Sequence, residues 1–145
     1  MNERRAIGER VDVFVSEPSD VDWARQRARD LAEREGFSEK KAVALATAVS
    51  EIARNIVVHA GRGELCFRRL IDGERRGIVV VAHDQGPGIA DIALAMQDGY
   101  STKGSLGLGL SGAQRLVDEF QIESAPGRGV TITLTQWDKD DPADD

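Results

Sequence analysis

Asp84 ends a run of apolar, mostly β-branched residues and is followed by Gly86, Pro87 and Gly88. An acceptor-only carboxylate therefore leaves a strand just where the backbone turns tightly. Such a group can hold an amino group, a metal or a helix N-terminus, and the glycines let a flat ligand approach. Glu51 and Asn55 form a second pair, four residues apart in a stretch that reads as a helix, so their side chains stack one turn above the other. Asn is a poor mid-helix residue because its amide competes for backbone hydrogen bonds, which points to another task. An ordinary polar helix edge is the alternative on spacing alone. The third group is the glycine-rich segment GYSTKGSLGLGLSG, residues 99–112. Glycines before a helix expose consecutive N–H groups, and the helix N-terminus adds partial positive charge. Both favour a polyphosphate, and Lys103 adds a cation at the rim; a surface turn is the alternative.

Gly107, Gly109 and Gly112 satisfy the dinucleotide pattern G-x-G-x-x-G. That fingerprint needs a strand directly before it and an acidic residue about 20 positions later. Here a polar loop precedes it, and the count lands in the apolar stretch 129–132. No Gly-Lys-Ser/Thr follows the glycines, which excludes a Walker loop.

The chain has 145 residues, 41% of them hydrophobic, which suits one domain with its own core. Residues 1–10 read as a flexible N-terminus, 11–137 as the domain and 138–145 as a disordered acidic tail. Strands are expected at 11–15, 64–71, 78–84, 121–124 and 130–137, the third of them covered on both faces. Helices are expected from Ser19 or Asp20 to Glu35, over 39–59 with Ser38 as its cap, over 90–97, and over 109–119. Trp23 reads as core or a surface anchor. A net charge of -6 argues against nonspecific nucleic-acid binding. One cysteine, Cys66, allows no internal disulfide and reads as a small buried hydrophobe. No secretory leader or apolar run of spanning length is visible, which predicts a cytoplasmic protein without a membrane partner. His59 is expected on the same side of its helix as Asn55, and His83 on the strand face opposite Asp84.

Taken together, Glu51-x-x-x-Asn55, Asp84-x-Gly86-x-Gly88, the glycine segment to Gly109, and Gly127-Arg-Gly129-Val-Thr131 resemble the N, G1, G2 and GT boxes of the GHKL superfamily, in order and across nearly the whole chain. The resemblance implies the Bergerat ATP-binding fold, an α+β two-layer sandwich with a mixed, mostly antiparallel sheet and helices on one face. Within the superfamily, SEIARNIVVHAG and DGYSTKGSLGLGLSGAQRLVDEF are most similar to the small bacterial serine/threonine kinases of RsbT type, with SpoIIAB-type anti-sigma factors next. The resemblance makes Glu51 the general base and Asn55 the Mg²⁺ ligand. Asp84 becomes the acceptor for the adenine amino group, with Thr131 assisting through a water. Gly86 and Gly88 flank the base, and Lys103, Gly104, Gly107, Leu108 and Gly109 lie at the phosphates. The implied cofactors are ATP and Mg²⁺. The implied partners are STAS-domain antagonist or scaffold proteins and a PP2C-type phosphatase in stress signalling. A sigma factor is the partner in the alternative reading, an anti-sigma or nucleotide-gated adaptor with little kinase activity.

Overall fold

The computed structural model describes residues 4–86, Met96 and 106–139, with only the backbone described for 106–109. The expected helix at 90–97 (apart from Met96), Gly88, Lys103, Gly104 and residues 140–145 of the tail lie outside the described residues. Five strands, β1 (Arg5–Val15), β2 (Gly63–Asp72), β3 (Arg75–Asp84), β4 (Glu119–Ser124) and β5 (Val130–Trp137), form one sheet in the order β1-β2-β3-β5-β4. Every described pairing is antiparallel, so the mixed element expected in the sheet is not seen among them. Strand β1 begins at Arg5, within the stretch expected to be loose. Residues 5–7 pair with 69–71 of β2, a register shift follows, and pairing resumes at Val11. That bulge, with Gly8 at φ 71°, breaks the alternation by which the early residues of the strand would be recognised. At the other end, the Arg76 N–H donates to Asp138 Oδ1 at 3.0 Å and the Asp138 N–H to the Arg76 carbonyl at 2.8 Å. Asp138, expected to open the tail, is thus held to β3.

Helix α1 (Pro18–Arg34) starts before Ser19. Asp20 is not its cap. Its Oδ2 accepts from the backbone N–H groups of Ser16 (2.9 Å) and Glu17 (3.0 Å), which hold the carboxyl below its usual range. Helix α2 (Glu39–Asn55) is capped by Ser38, whose Oγ accepts from the Lys41 N–H at 3.2 Å. It changes at Ile56 into a π turn, Ile56–Ala60, closed by the Gly61 N–H donating to the Ile56 carbonyl at 2.8 Å. The regular helix expected to residue 59 is therefore cut short, and the wider turn alters where His59 projects. The whole stretch Glu39–Ala60 is long and apolar enough, by length and composition, to cross a membrane, contrary to expectation. Its apolarity has another use: Leu45, Ala48, Val49, Ile52 and Ile56 are buried in the core.

Helix α3 (Leu106–Leu116) starts and stops a few residues before the span expected for it. Its end is fixed by Gln136, only 2% exposed. The amide Nε2 donates to the carbonyls of Leu116 (3.2 Å) and Lys41 (3.4 Å), and Oε1 accepts from the Asp118 N–H at 2.9 Å. Asp118 in turn accepts from the Trp137 N–H at 2.8 Å and from Lys41 Nζ at 2.9 Å. A buried amide is tolerated because its polar atoms are partnered.

The three described helices cover one face of the sheet. Ala24, Ala28 and Ala32 of α1 are fully buried, and α2 packs between α1 and α3 over Leu65, Phe67, Ile78, Val80, Ile132 and Leu134. On β3 the buried residues Ile78, Val80, Ala82 and Asp84 alternate with half-buried Val79, Val81 and His83. The strand is thus covered by helices on one face only. Cys66 is half-buried on the open face, where burial, then Asp12, pushes its thiol pKa up. Trp23 is exposed, with Arg27 stacked 5.1 Å from its ring centroid.

The open face is closed at one end by Arg4, which donates to both carboxylate oxygens of Glu119 (2.8 and 2.6 Å), while Trp137 Nε1 donates to Glu119 at 2.9 Å. Burial alone would raise the Glu119 pKa, but the bonds from Arg4 and Trp137 outweigh it and lower it. A carboxyl with a depressed folded-state pKa stabilises the fold above its unfolded value, about 4.3, and that contribution disappears as pH falls through the folded value. Glu119→Gln should therefore lower the urea midpoint at pH 7, and the difference from the parent should shrink steadily as the pH is taken down to 3.

Candidate functional site

The antiparallel register puts Val15, Gly63, Asp84 and Val130 in one row across β1, β2, β3 and β5, at the end of the sheet beneath the α2 C-terminus. Residues directly opposite one another share a face, and this row faces the helices. Gly63 makes the approach possible. A Cβ there would stand 2.6 Å from the His83 carbonyl oxygen, 2.9 Å from Ile56 Cγ2 and 3.1 Å from Asp84 Cβ. Gly86 acts likewise in the turn after β3, since a Cβ there would meet Ala60 Cβ at 2.7 Å. That turn is thus held against the π turn after α2, which brings the Asp84 segment to the Asn55 end of the helix.

Asp84 is buried, and its Oδ1 accepts from the Gly86 N–H at 2.8 Å. Among the described residues no hydrogen bond reaches Oδ2, leaving an acceptor at the sheet end. Asn55, the last residue of α2, is 9% exposed, and its Nδ2 is buried with no hydrogen-bond partner among the described residues. An unpartnered buried N–H donor costs about 1–3 kcal/mol, so an acceptor oxygen, such as a phosphate's, that takes the Nδ2 donor relieves a standing penalty. Glu51 lies one turn earlier, half-buried, with Oε1 accepting from Arg54 at 2.8 Å. Gly107, Leu108 and Gly109 belong to the first turn of α3 rather than to a loop before it. First-turn N–H groups have no intrahelical acceptor and are suited to an anion. Among the described residues no group of three or more His, Cys, Asp or Glu could hold a metal ion. The donor set instead suits a hard cation taking one protein oxygen and the rest from phosphate and water.

Thr131 does not belong to this row. It pairs with His83 on the opposite face, and its Oγ1 lies 2.8 Å from His83 Nδ1. The residue that shares the Asp84 face is Val130, which has no hydroxyl. Strand alternation thus excludes Thr131 from direct partnership with Asp84. His83 has the opposite-face position expected of it, and His59 lies half-buried in the π turn. Sequence reasoning missed Val130, Gly63 and Ala60. Val130 was visible in the alternation of VTITLT, residues 130–135, whereas the contacts of Gly63 and Ala60 exist only in the folded molecule.

Residues 14–136 match the histidine kinase-like ATPase domain family. The chain is 43% identical to the serine/threonine-protein kinase RsbT of Bacillus subtilis over 118 residues, 81% of this chain and 89% of that protein. It is 29% identical to an anti-sigma F factor of Thermoanaerobacter over 130 residues, 86% of this chain and 90% of that one. The crystal structure of the RsbU and RsbW domains of a Mycobacterium tuberculosis protein superposes with a TM-score of 0.58 at 18% identity, over 89% of this chain and 32% of the other. That last likeness is one of fold.

The tight contact between the two turns is open to test. Gly86→Ala should destabilise the protein by about 1–3 kcal/mol, read from denaturant midpoints. Ala60→Gly in the same chain should recover most of that loss, a non-additivity that independent sites would not show.

Proposed function

Because the chain belongs to the histidine kinase-like ATPase domain family, on its serine/threonine-protein kinase branch, we propose that it transfers the γ-phosphoryl group of ATP to a Ser or Thr hydroxyl of a partner protein. The observation that carries the reading is the buried Asn55 amide without a described partner, one turn from a half-buried carboxylate and packed toward the turn that presents Asp84. Asp84 accepts from the adenine amino group and disfavours guanine, whose carbonyl oxygen it would repel. Val130 lines the same face with an apolar wall. The first-turn N–H groups at Gly107, Leu108 and Gly109 receive the phosphates, with Gly88, Lys103 and Gly104 in the segment leading to them. Asn55 would hold Mg²⁺ through its amide oxygen, where the ion would neutralise phosphate charge, and its Nδ2 would donate to a phosphate oxygen. Glu51 takes the proton of the attacking hydroxyl while the oxygen bonds to phosphorus and ADP leaves. General-base assistance of this kind is worth about 10²–10⁴-fold, and positioning supplies the rest. Glu51 must exchange its bond to Arg54 for the substrate hydroxyl, which makes Arg54 a local gate on the base.

The substrates we propose are STAS-domain antagonist or scaffold proteins, with a PP2C-type phosphatase as the second partner in cytoplasmic stress signalling; relatives of the chain support this reading. The 29% identity to anti-sigma F factors favours a second one, a nucleotide-gated adaptor for a sigma factor. Incubation with Mg-ATP and a STAS-domain protein separates them. Glu51→Gln should lower phosphate transfer at least about a hundredfold with ATP affinity unchanged. Tight, nucleotide-dependent complex formation without any transfer by the parent protein would replace the kinase reading with the adaptor. In the same assay Asp84→Asn should weaken ATP binding by about tenfold or more, whereas Thr131→Val, on the other face, should leave it within about twofold.

A further inference from the structure

At the end of the sheet away from Trp137 lies a cleft of about 390 Å³ that shares Asp84 with the proposed nucleotide site but is lined by neither Glu51 nor Asn55. Its walls come from Phe14 and Val15 of β1, Arg62, Gly63 and Glu64 at the start of β2, and the end of β3 from His83 to Gln85. Phe14 is 71% exposed, the most exposed large apolar side chain described. An aromatic ring left in water beside a cavity of ligand size is a ready apolar surface. Arg62 is exposed and forms no ion pair among the described residues, although 30% of the chain is charged and ten other ion pairs are present there. His83 is fixed in the wall by its bond to Thr131. Opposite it in the register stands Glu64, which is paired with Phe14 on its other side and puts a carboxylate in the middle of this row.

We infer that this cleft is a second binding site, for a monocarboxylate joined to an apolar side chain. Arg62 takes the carboxylate, as guanidinium forks do. Phe14 takes the apolar body, and Glu64, paired with Phe14 on one side and His83 on the other, disfavours a second negative charge. Free amphipathic acids and the C-terminal residue of a partner chain both carry this chemistry. The inference stands apart from the phosphoryl-transfer reading, because none of its contacts needs a nucleotide.

The test is a ¹⁵N-¹H titration of the full-length protein with N-acetyl-phenylalanine, N-acetyl-phenylalaninamide, phenylsuccinate and a pentapeptide ending in phenylalanine. N-acetyl-phenylalanine should give saturable shifts at Gly63, Glu64, His83 and Gln85. The uncharged amide and the dianion should bind about tenfold more weakly. Arg62→Gln and Phe14→Ala should each reproduce that loss; both residues are exposed, so the variants keep the parent's spectral dispersion. A pentapeptide that binds more tightly than the free acid assigns the site to a chain terminus, and one that binds more weakly assigns it to a small acid. Shifts that do not saturate, or parent-like binding by Arg62→Gln and Phe14→Ala, would overturn the site.

Discussion

The register of β3 between β2 and β5 is the constraint on which the molecule depends. With Gly63 opposite Asp84 and Asp84 opposite Val130, the carboxylate faces the helices at the end of the sheet. A slip of one residue would turn Asp84 to the open face and His83 into the core. Two glycines hold this register for steric reasons. Gly63 leaves the space into which Ile56 and Asp84 fit, and Gly129, at φ 75°, passes close to the Asp84 carbonyl in a conformation that L side chains rarely adopt.

Given that register, the helices are tied to the sheet at particular points. Gln136 and Asp118 join the start of α2, the end of α3 and β5 through hydrogen bonds made mostly to the backbone. The last turn of α3 is thereby fixed, while its first turn, carrying Gly107 and Gly109, lies at the other end of the helix. The arrangement anchors the helix by its C-terminus, and in the proposed reading the first-turn N–H groups, which have no intrahelical acceptor, receive the phosphates. The change from α to π geometry after Asn55 serves the same end of the molecule. It lets Ala60 come against Gly86 and leaves Asn55 as the last regular helical residue.

The open face divides into two ends of different character. At one, Trp137 is covered by Arg75 at 4.2 Å and Arg4 at 5.0 Å from its ring, with Glu119 closing the group, so an aromatic side chain on the face without helices is only 2% exposed. At the other, Phe14 has no such cover. The contrast gives the cleft beside Phe14 its interest, because one sheet face carries both a sealed aromatic residue and an open one.

The sequence by itself determined much of this. The i, i+3, i+4, i+7 pattern of α2, the cap at Ser38, the turn after Asp72, the alternation of β5 and the end of β3 at Asp84 are all local, and local patterns survive folding. The alternation of β5 even held the answer to Thr131, since Val130, Ile132 and Leu134 share one face and Thr131 must take the other. Other features depend on partners far along the chain. The early start of β1 rests on pairing with residues 69–71 across a bulge, and the end of α3 on an amide that follows it by 20 residues. The small residues at 60, 63 and 86 matter only because the π turn after α2, the start of β2 and the turn after β3 converge there. Residue type and spacing fix which face a side chain takes within its own element. Which atoms meet across elements is set by register and close packing, and these appear only when the chain is folded.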